Sequence, residues 1–467
     1  MDVNRRTVLK GGAGLGTTGF FGSEFLGSAD ADISRSADWG DQHPPEAYDD
    51  YETHRVAADG TAAFETIQAA VDAASERDLV LVEPGVYTEE VEINDTPRLT
   101  VRGTDREGVV LDGEFERYNG IVATTDGVVV ENLTVRNYNG NGVYWLSTDV
   151  SSPIQGYRGS YITADHIGVY AIYARNAQRG RFEHCYVSGC EDAGFYIGES
   201  QPARAVITDC IAEYNGMGYS GTNTGGDLVI RDSIWRDNMC GIVPNTLDSQ
   251  AGAPQGHLEG GIRIENNHIH DNNRLDVPAI ANAYAVYGTG VAIAGGQQND
   301  VCENTIENQE KYGVVVFPMI TDTDPATLPM RLFRAYVPGL SDDHVYPPED
   351  NAVMGNEIRG SGRVDLALAA PADGNAFDGN DAGGTRPFML ERRDGSFGDV
   401  MVFLQILRDF SQTEVGEYPS GTTEAQPDPD FEALREDFDA YEMDDPEGTP
   451  ARTPVGPGSY PAGEVEQ

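Results

Sequence analysis

Apolar and polar residues alternate in short runs that return along most of this chain. In the segment 206–215, VITDCIAEYN, the alternation runs from Val206 to Ala212 and ends in a turn, and a period of two is the mark of a strand. Taking Val135, Ile162, Val187, Ala212, Trp235, Ile269, Ile306 and Ile358 as equivalent positions, the steps between them are 27, 25, 25, 23, 34, 37 and 52 residues. A self-similar period in the twenties, lengthened by insertions, is the signature of a solenoid rather than of one closed core. Six or seven residues further on, a Gly often precedes an apolar residue, as in Gly142-Val143, Gly168-Val169, Gly194-Phe195, Gly218-Tyr219, Gly241-Ile242 and Gly313-Val314. This pattern adds another short strand to each turn.

The longer amphipathic segments of 3.6 period that helical repeats need and a strict Leu spacing are both missing from the repeats, which excludes helical and leucine-rich solenoids. The pattern predicts an all-β fold, a single-stranded right-handed parallel β-helix with three short strands per coil and helical caps, since crossovers between parallel strands are overwhelmingly right-handed. Two residues before the key position the column reads Leu133, Ser160, Cys185, Cys210, Ser233, Asn267, Asn304, Asn356. Stacked about 4.8 Å apart, small polar side chains there can hydrogen-bond from coil to coil. Glycine, 55 of 467 residues, is expected to supply the corners with positive φ. Cys185 and Cys210 become stacked neighbours, and parallel side-chain directions favour two buried thiols over a bridge.

Phe64, Ile67, Ala70, Val71 and Ala74 fall at helical spacing ahead of Leu79-Val80-Leu81-Val82, which predicts an amino-terminal cap helix. The β-helix is expected over 60–390 and a carboxy-terminal cap helix over 391–412, on the spacing of Val400, Phe403, Leu404, Leu407 and Phe410. The segment 32–59 is read as an acidic linker. From 413 to 467 there are 15 acidic residues against two Arg with repeated Pro, the composition of a largely disordered tail, with a short helix over 432–441.

Charge describes habitat. There are 77 Asp and Glu against 31 Lys and Arg, a formal net charge of -46, and the two lysines are Lys10 and Lys311. Such acidity resembles proteins of salt-in halophiles, where screening over about 3 Å at molar salt removes the repulsion. It also excludes nucleic acid as a partner. Residues 1–31 begin with Asn4-Arg5-Arg6-Thr7-Val8-Leu9-Lys10 and a Gly-rich, weakly apolar run that resembles a twin-arginine signal peptide, with a cleavage site near Ala29-Asp30-Ala31. That run is too short to span a bilayer, and no other segment has the length. The expected location is extracellular or at the cell surface, by the twin-arginine route.

The segments 66–74 (TIQAAVDAA), 81–91 (LVEPGVYTEEV) and 110–113 (VLDG) resemble the amino-terminal cap and first coil of the pectin-lyase-like superfamily, and the resemblance covers 64 to about 380. It implies the fold, and a range of roles from lyases, hydrolases, esterases and epimerases to adhesins and periplasmic accessory proteins. The catalytic motifs of its polygalacturonases, pectate lyases, mannuronan epimerases and pectin methylesterases do not transfer. Phe182-Glu183-His184-Cys185 echoes a lyase segment without its partner motif.

Geometry supplies the candidate site. The column just after the key position reads Arg136, Thr163, Ser188, Glu213, Arg236, His270, Glu307, Arg359. Glu213, Arg236, His270 and Glu307 are expected to form an exposed catalytic or binding stripe between two insertions, with Arg236 or His270 as the base of a β-elimination. One residue further, Asp237 and Asp271 would stack near the roughly 5 Å separation of a retaining carboxylate pair, and calcium is the cofactor such a pair would suit. His268 and His270 share a strand face but lack a third ligand for a transition metal. The reading is an exported β-helix protein that binds or acts on a polysaccharide or cell-surface glycan, as a lyase or glycoside hydrolase if catalytic. The alternatives are a non-catalytic structural β-helix and a periplasmic accessory protein.

Overall fold

Short strands wind into about 12 coils. Each coil contributes three of them, and coils pair in parallel. In one representative coil Ala205–Thr208, Ile211–Glu213 and Met217–Ser220 lie on the first, second and third faces. They pair with Leu228–Arg231, Ile234–Arg236 and Cys240–Val243 of the next coil. The computed structural model describes residues 47–149, 151–246, 261–321, 327–337, 343–392, 397–414, 421–438, 440–452 and 454. The expected export signal at 1–31 lies outside them. The stack begins earlier than expected: Thr53–Val56, inside the presumed linker, pairs with Leu79–Val82 as the first strand of the first face.

The key column is Val135, Ala164, Val187, Ala212, Trp235, Ile269, Ile306, Ile358. One member differs from the expectation. Ile162 pairs with Leu133 and belongs two residues earlier, which also replaces Ser160 in the polar column and Thr163, by Asp165, in the outward one. Ile162 and Ala164 are both fully buried, so alternation alone cannot separate them. The corner residue does: Tyr161 has φ 53° and aligns with Asn132, His184, Asp209, Asp232, Asn266 and Glu303, all with φ between 50° and 58°.

Those left-handed corners are filled largely by non-glycine residues, Asn and Asp prominent among them, as their short polar side chains allow. Glycine serves a different purpose. At the start of third-face strands the backbones of successive coils nearly touch, and a Cβ at Gly241 would sit 2.4 Å from the carbonyl oxygen of Gly290.

Asparagine ladders run up three corners. Asn267, Asn304, Asn356 and Asn380 pass amide hydrogen bonds of 2.9 to 3.0 Å from coil to coil. Asn215, Asn238 and Asn272 do the same at the second corner, and Asn299, Asn351 and Asn375 at the third. Each satisfies buried backbone groups that a tight bend would leave unpaired. The five cysteines are free and buried, as expected for thiols.

The amino-terminal end is covered by Ile67–Ala73, whose Ile67, Ala70 and Val71 join the main core. At the other end the expected cap lies elsewhere. Leu390 closes the core and Glu391 accepts from both the backbone and the side-chain nitrogen of Asn380, ending the first ladder. The helix Val400–Glu414 instead packs Val402, Phe403 and Ile406 into the apolar cluster on the third face, where Lys311 reaches Asp409 at 2.8 Å.

The tail differs most from expectation. Residues 421–438 and 440–452 form a strap across the second face and onto the first. The helix Phe431–Asp437 leads Leu434, Phe438 and Tyr441 onto outward-facing Tyr186 and Ile211, and Ala451 packs on Leu79 and Leu81. The apolar spacing of Phe431, Leu434, Phe438 and Tyr441 supplies the anchors that overall composition hides.

Candidate glycan-binding face

The outward column of the second face brings the predicted residues together in order. Arg236 pairs in register with His270, His270 with Glu307, and Glu307 with Arg359. The stripe is nevertheless two regions. Glu213 is only 8% exposed: Tyr186 donates to its Oε1 at 2.8 Å and Arg236 Nε to its Oε2 at 2.6 Å. Arg236 turns its other side to Asp437 of the strap, 2.8 Å away. Burial works against the Arg236 cation, but the Glu213 and Asp437 carboxylates outweigh it and hold the guanidinium above its ordinary range. Arg236 is thus engaged by two carboxylates of the protein rather than left free at the surface.

Beyond the strap the outward side chains are partly exposed, His268 at 44% and His270 at 20%. His268 and His270 lie ring beside ring, 4.1 Å between centroids. His268 Nε2 is 3.3 Å from Glu307 Oε2, and His270 Nδ1 is 2.8 Å from Asp271 Oδ2. An acceptor carboxylate at Nδ1 fixes the tautomer with its proton there, leaving Nε2 of His270 as a proton acceptor. Arg359 completes the run, with Asp381 at 3.1 Å.

Asp237 and Asp271 occupy successive left-handed corners, φ 51° and 54°. Burial raises the Asp237 pKa above the usual carboxylate range, Arg274 opposes this, and the Glu213 and Asp271 charges add to it. Arg274, 3.8 Å from Asp237, also holds Asp276 at 2.8 and 2.9 Å. A guanidinium therefore already serves this corner. Among the described residues no group of three or more His, Cys, Asp or Glu converges as a metal site.

Two sets of residues were not anticipated. His166, at the second corner, lies 2.7 Å from Asp165 through Nδ1 and 2.9 Å from the Gln426 carbonyl through Nε2. A carbonyl can only accept, so Nε2 donates, and with a carboxylate at Nδ1 the ring is held as an imidazolium. Burial disfavours that charge, yet Asp165 and the Gln426 carbonyl outweigh it and raise the His166 pKa. On the first face Arg102 is fully buried, bound to Glu131 and to the strap carbonyls of Pro446, Thr449 and Pro450. Arg106 donates to the Tyr441 carbonyl at 2.8 Å and to Thr163 and Ile162 beneath it. Isolated arginines in a chain carry no signal of this kind until the strap is placed.

Among solved structures, the chain is similar to the A-module of the mannuronan C-5 epimerase AlgE4 of Azotobacter vinelandii, at 16% identity over 68% of this chain and 90% of that one, TM-score 0.44. It is also similar to an alginate lyase from Paenibacillus sp. str. FPU-7 (12% identity, 67% and 97% covered, TM-score 0.40) and to the pectin methylesterase PemA from Erwinia chrysanthemi (14%, 56% and 80%, TM-score 0.33). No curated protein matches the chain by sequence. No helix among the described residues is long and apolar enough to cross a membrane. Residues 119–318 match the family model described as right handed beta helix region, and the chain folds as an all-β parallel solenoid of about 12 turns, consistent with a right-handed β-helix.

Proposed function

We propose that this is an exported, salt-adapted protein that binds a uronate-bearing polysaccharide along the open second face. One observation carries the reading: His268 and His270 stand ring beside ring on one strand, His270 paired with Asp271 of the same coil and His268 with Glu307 of the next, whose own neighbour is Arg359. Imidazole, carboxylate and guanidinium groups lined up over three neighbouring coils offer donors and acceptors to the hydroxyls of a glycan chain. Arg359 supplies a cation for a uronate, and screening within about 3 Å at molar salt keeps the acidic surroundings from repelling it. In a β-elimination, Nε2 of His270 would be the atom to take the proton.

A second reading has its own support. Each cationic member of the stripe already has a carboxylate partner within the protein, as a purely structural charge ladder requires. Binding of polygalacturonate, alginate and a neutral glucan in 2 M salt, with unsaturated-uronate absorbance and reducing ends followed in parallel, separates the two. Saturable binding that falls at least tenfold in His270→Ala supports the glycan face, and absence of binding to all three leaves the structural ladder.

A further inference from the structure

The strap is itself an acidic polymer that lies over four cations, at a corner, on the second face and on the first. Between 421 and 452 it carries 11 Asp and Glu against two Arg. Its oxygens take the cations beneath it in turn: the Gln426 carbonyl on His166, the Asp437 carboxylate on Arg236, the Tyr441 carbonyl on Arg106, and the carbonyls of Pro446, Thr449 and Pro450 on Arg102. Beneath the apolar side chains of the strap lie Tyr186 and Ile211, an outward-facing aromatic and its neighbour of the sort that the carbon face of a sugar ring covers. The covered surface runs without a break into the open one, since Arg236 and His270 are paired neighbours.

From this we infer that the surface under the strap is the cationic half of the glycan site, that it takes the carboxylates of a uronate chain, and that the strap occupies it in the free protein as a built-in pseudo-ligand. The inference rests on the polysaccharide reading above. The open half, His268 to Arg359, then makes first contact. Full engagement of the chain requires the strap to lift, exchanging one set of carboxylate and carbonyl oxygens for another on the same cations.

The test uses the full chain, polygalacturonate as the probe and 2 M salt. Leu434→Ala combined with Phe438→Ala weakens the strap's grip and changes no residue of the solenoid. Release is read by trypsin cleavage after Arg435, which lies within the strap helix. The expected results are polygalacturonate binding at least tenfold tighter in the double variant, and, in the parent, trypsin cleavage after Arg435 at least threefold faster with polygalacturonate than without. Unchanged or weaker binding by a variant whose strap is released, with no ligand effect on cleavage in the parent, overturns the inference and leaves the strap a structural cover, while the open site stands. No binding by either protein removes the polysaccharide reading and this inference together. If the double variant does not fold, Asp437→Asn keeps the apolar contacts and is expected to bind about threefold tighter; unchanged binding together with unchanged parent cleavage counts against the inference equally.

Discussion

At the scale of single residues, the side chains that hold the coils together are distinct from those of the proposed glycan face. Asn304 receives the backbone and side-chain donors of Asn267 and donates to the carbonyls of Ile264 and Cys302 and to Asn356. Asn304→Ala leaves several buried groups unpaired and should lower stability by about 2–3 kcal/mol in chemical denaturation, given roughly 1–3 kcal/mol per orphaned buried group; a loss below about 0.5 kcal/mol would mean that water replaces the ladder. His270→Ala and Glu307→Ala change partly exposed side chains, so stability should move by less than about 1 kcal/mol. His166 behaves differently with pH. Its folded pKa is raised, so its contribution is complete below the unfolded value of about 6.5 and disappears as pH rises through the folded one. Asp165 and Asp428 are the charges that face it. Trypsin cleavage in the strap should therefore accelerate as pH climbs above neutrality, and His166→Gln should flatten that profile; an identical profile in the variant would assign the pH dependence to another group.

At the scale of elements, the repeat was legible because burial on three faces enforces the alternation, and the site column followed once the register was set. Two features were hidden for definite reasons. Ile162 and Ala164 both point inward from the continuous strand Ile154–Ile167, so only the left-handed Tyr161 fixes which of them continues the key column. The strap looked disordered because acidic residues and prolines dominate its composition, whereas its docking depends on a few apolar anchors and on backbone carbonyls, which composition does not weigh. The glycine column is a matter of backbone approach: Gly241→Ala places a methyl 2.4 Å from the Gly290 oxygen and should cost about 1–3 kcal/mol, as overpacking does. A neutral Gly241→Ala in thermal and chemical unfolding would show that neighbouring coils can separate at no cost.

At the scale of the whole molecule, three faces are assigned different work. The third is covered in part by the helix Val400–Glu414, the first is partly sealed by the strap, and the second is partly exposed from His268 onward. The net charge of -46 acts over all of them. Self-repulsion is poorly screened in dilute buffer, so the melting temperature should rise steeply between 0.1 and 3 M salt; a flat dependence would detach the acidity from any role in stability. The central claim is that a glycan lies on the open second face. Diethyl pyrocarbonate labelling of histidines, read by peptide mass spectrometry in 2 M salt with and without saturating polygalacturonate, tests it directly. The account predicts strong protection of His268 and His270 and unchanged labelling of His344; bound polygalacturonate that leaves His268 and His270 as reactive as in the free protein would contradict it.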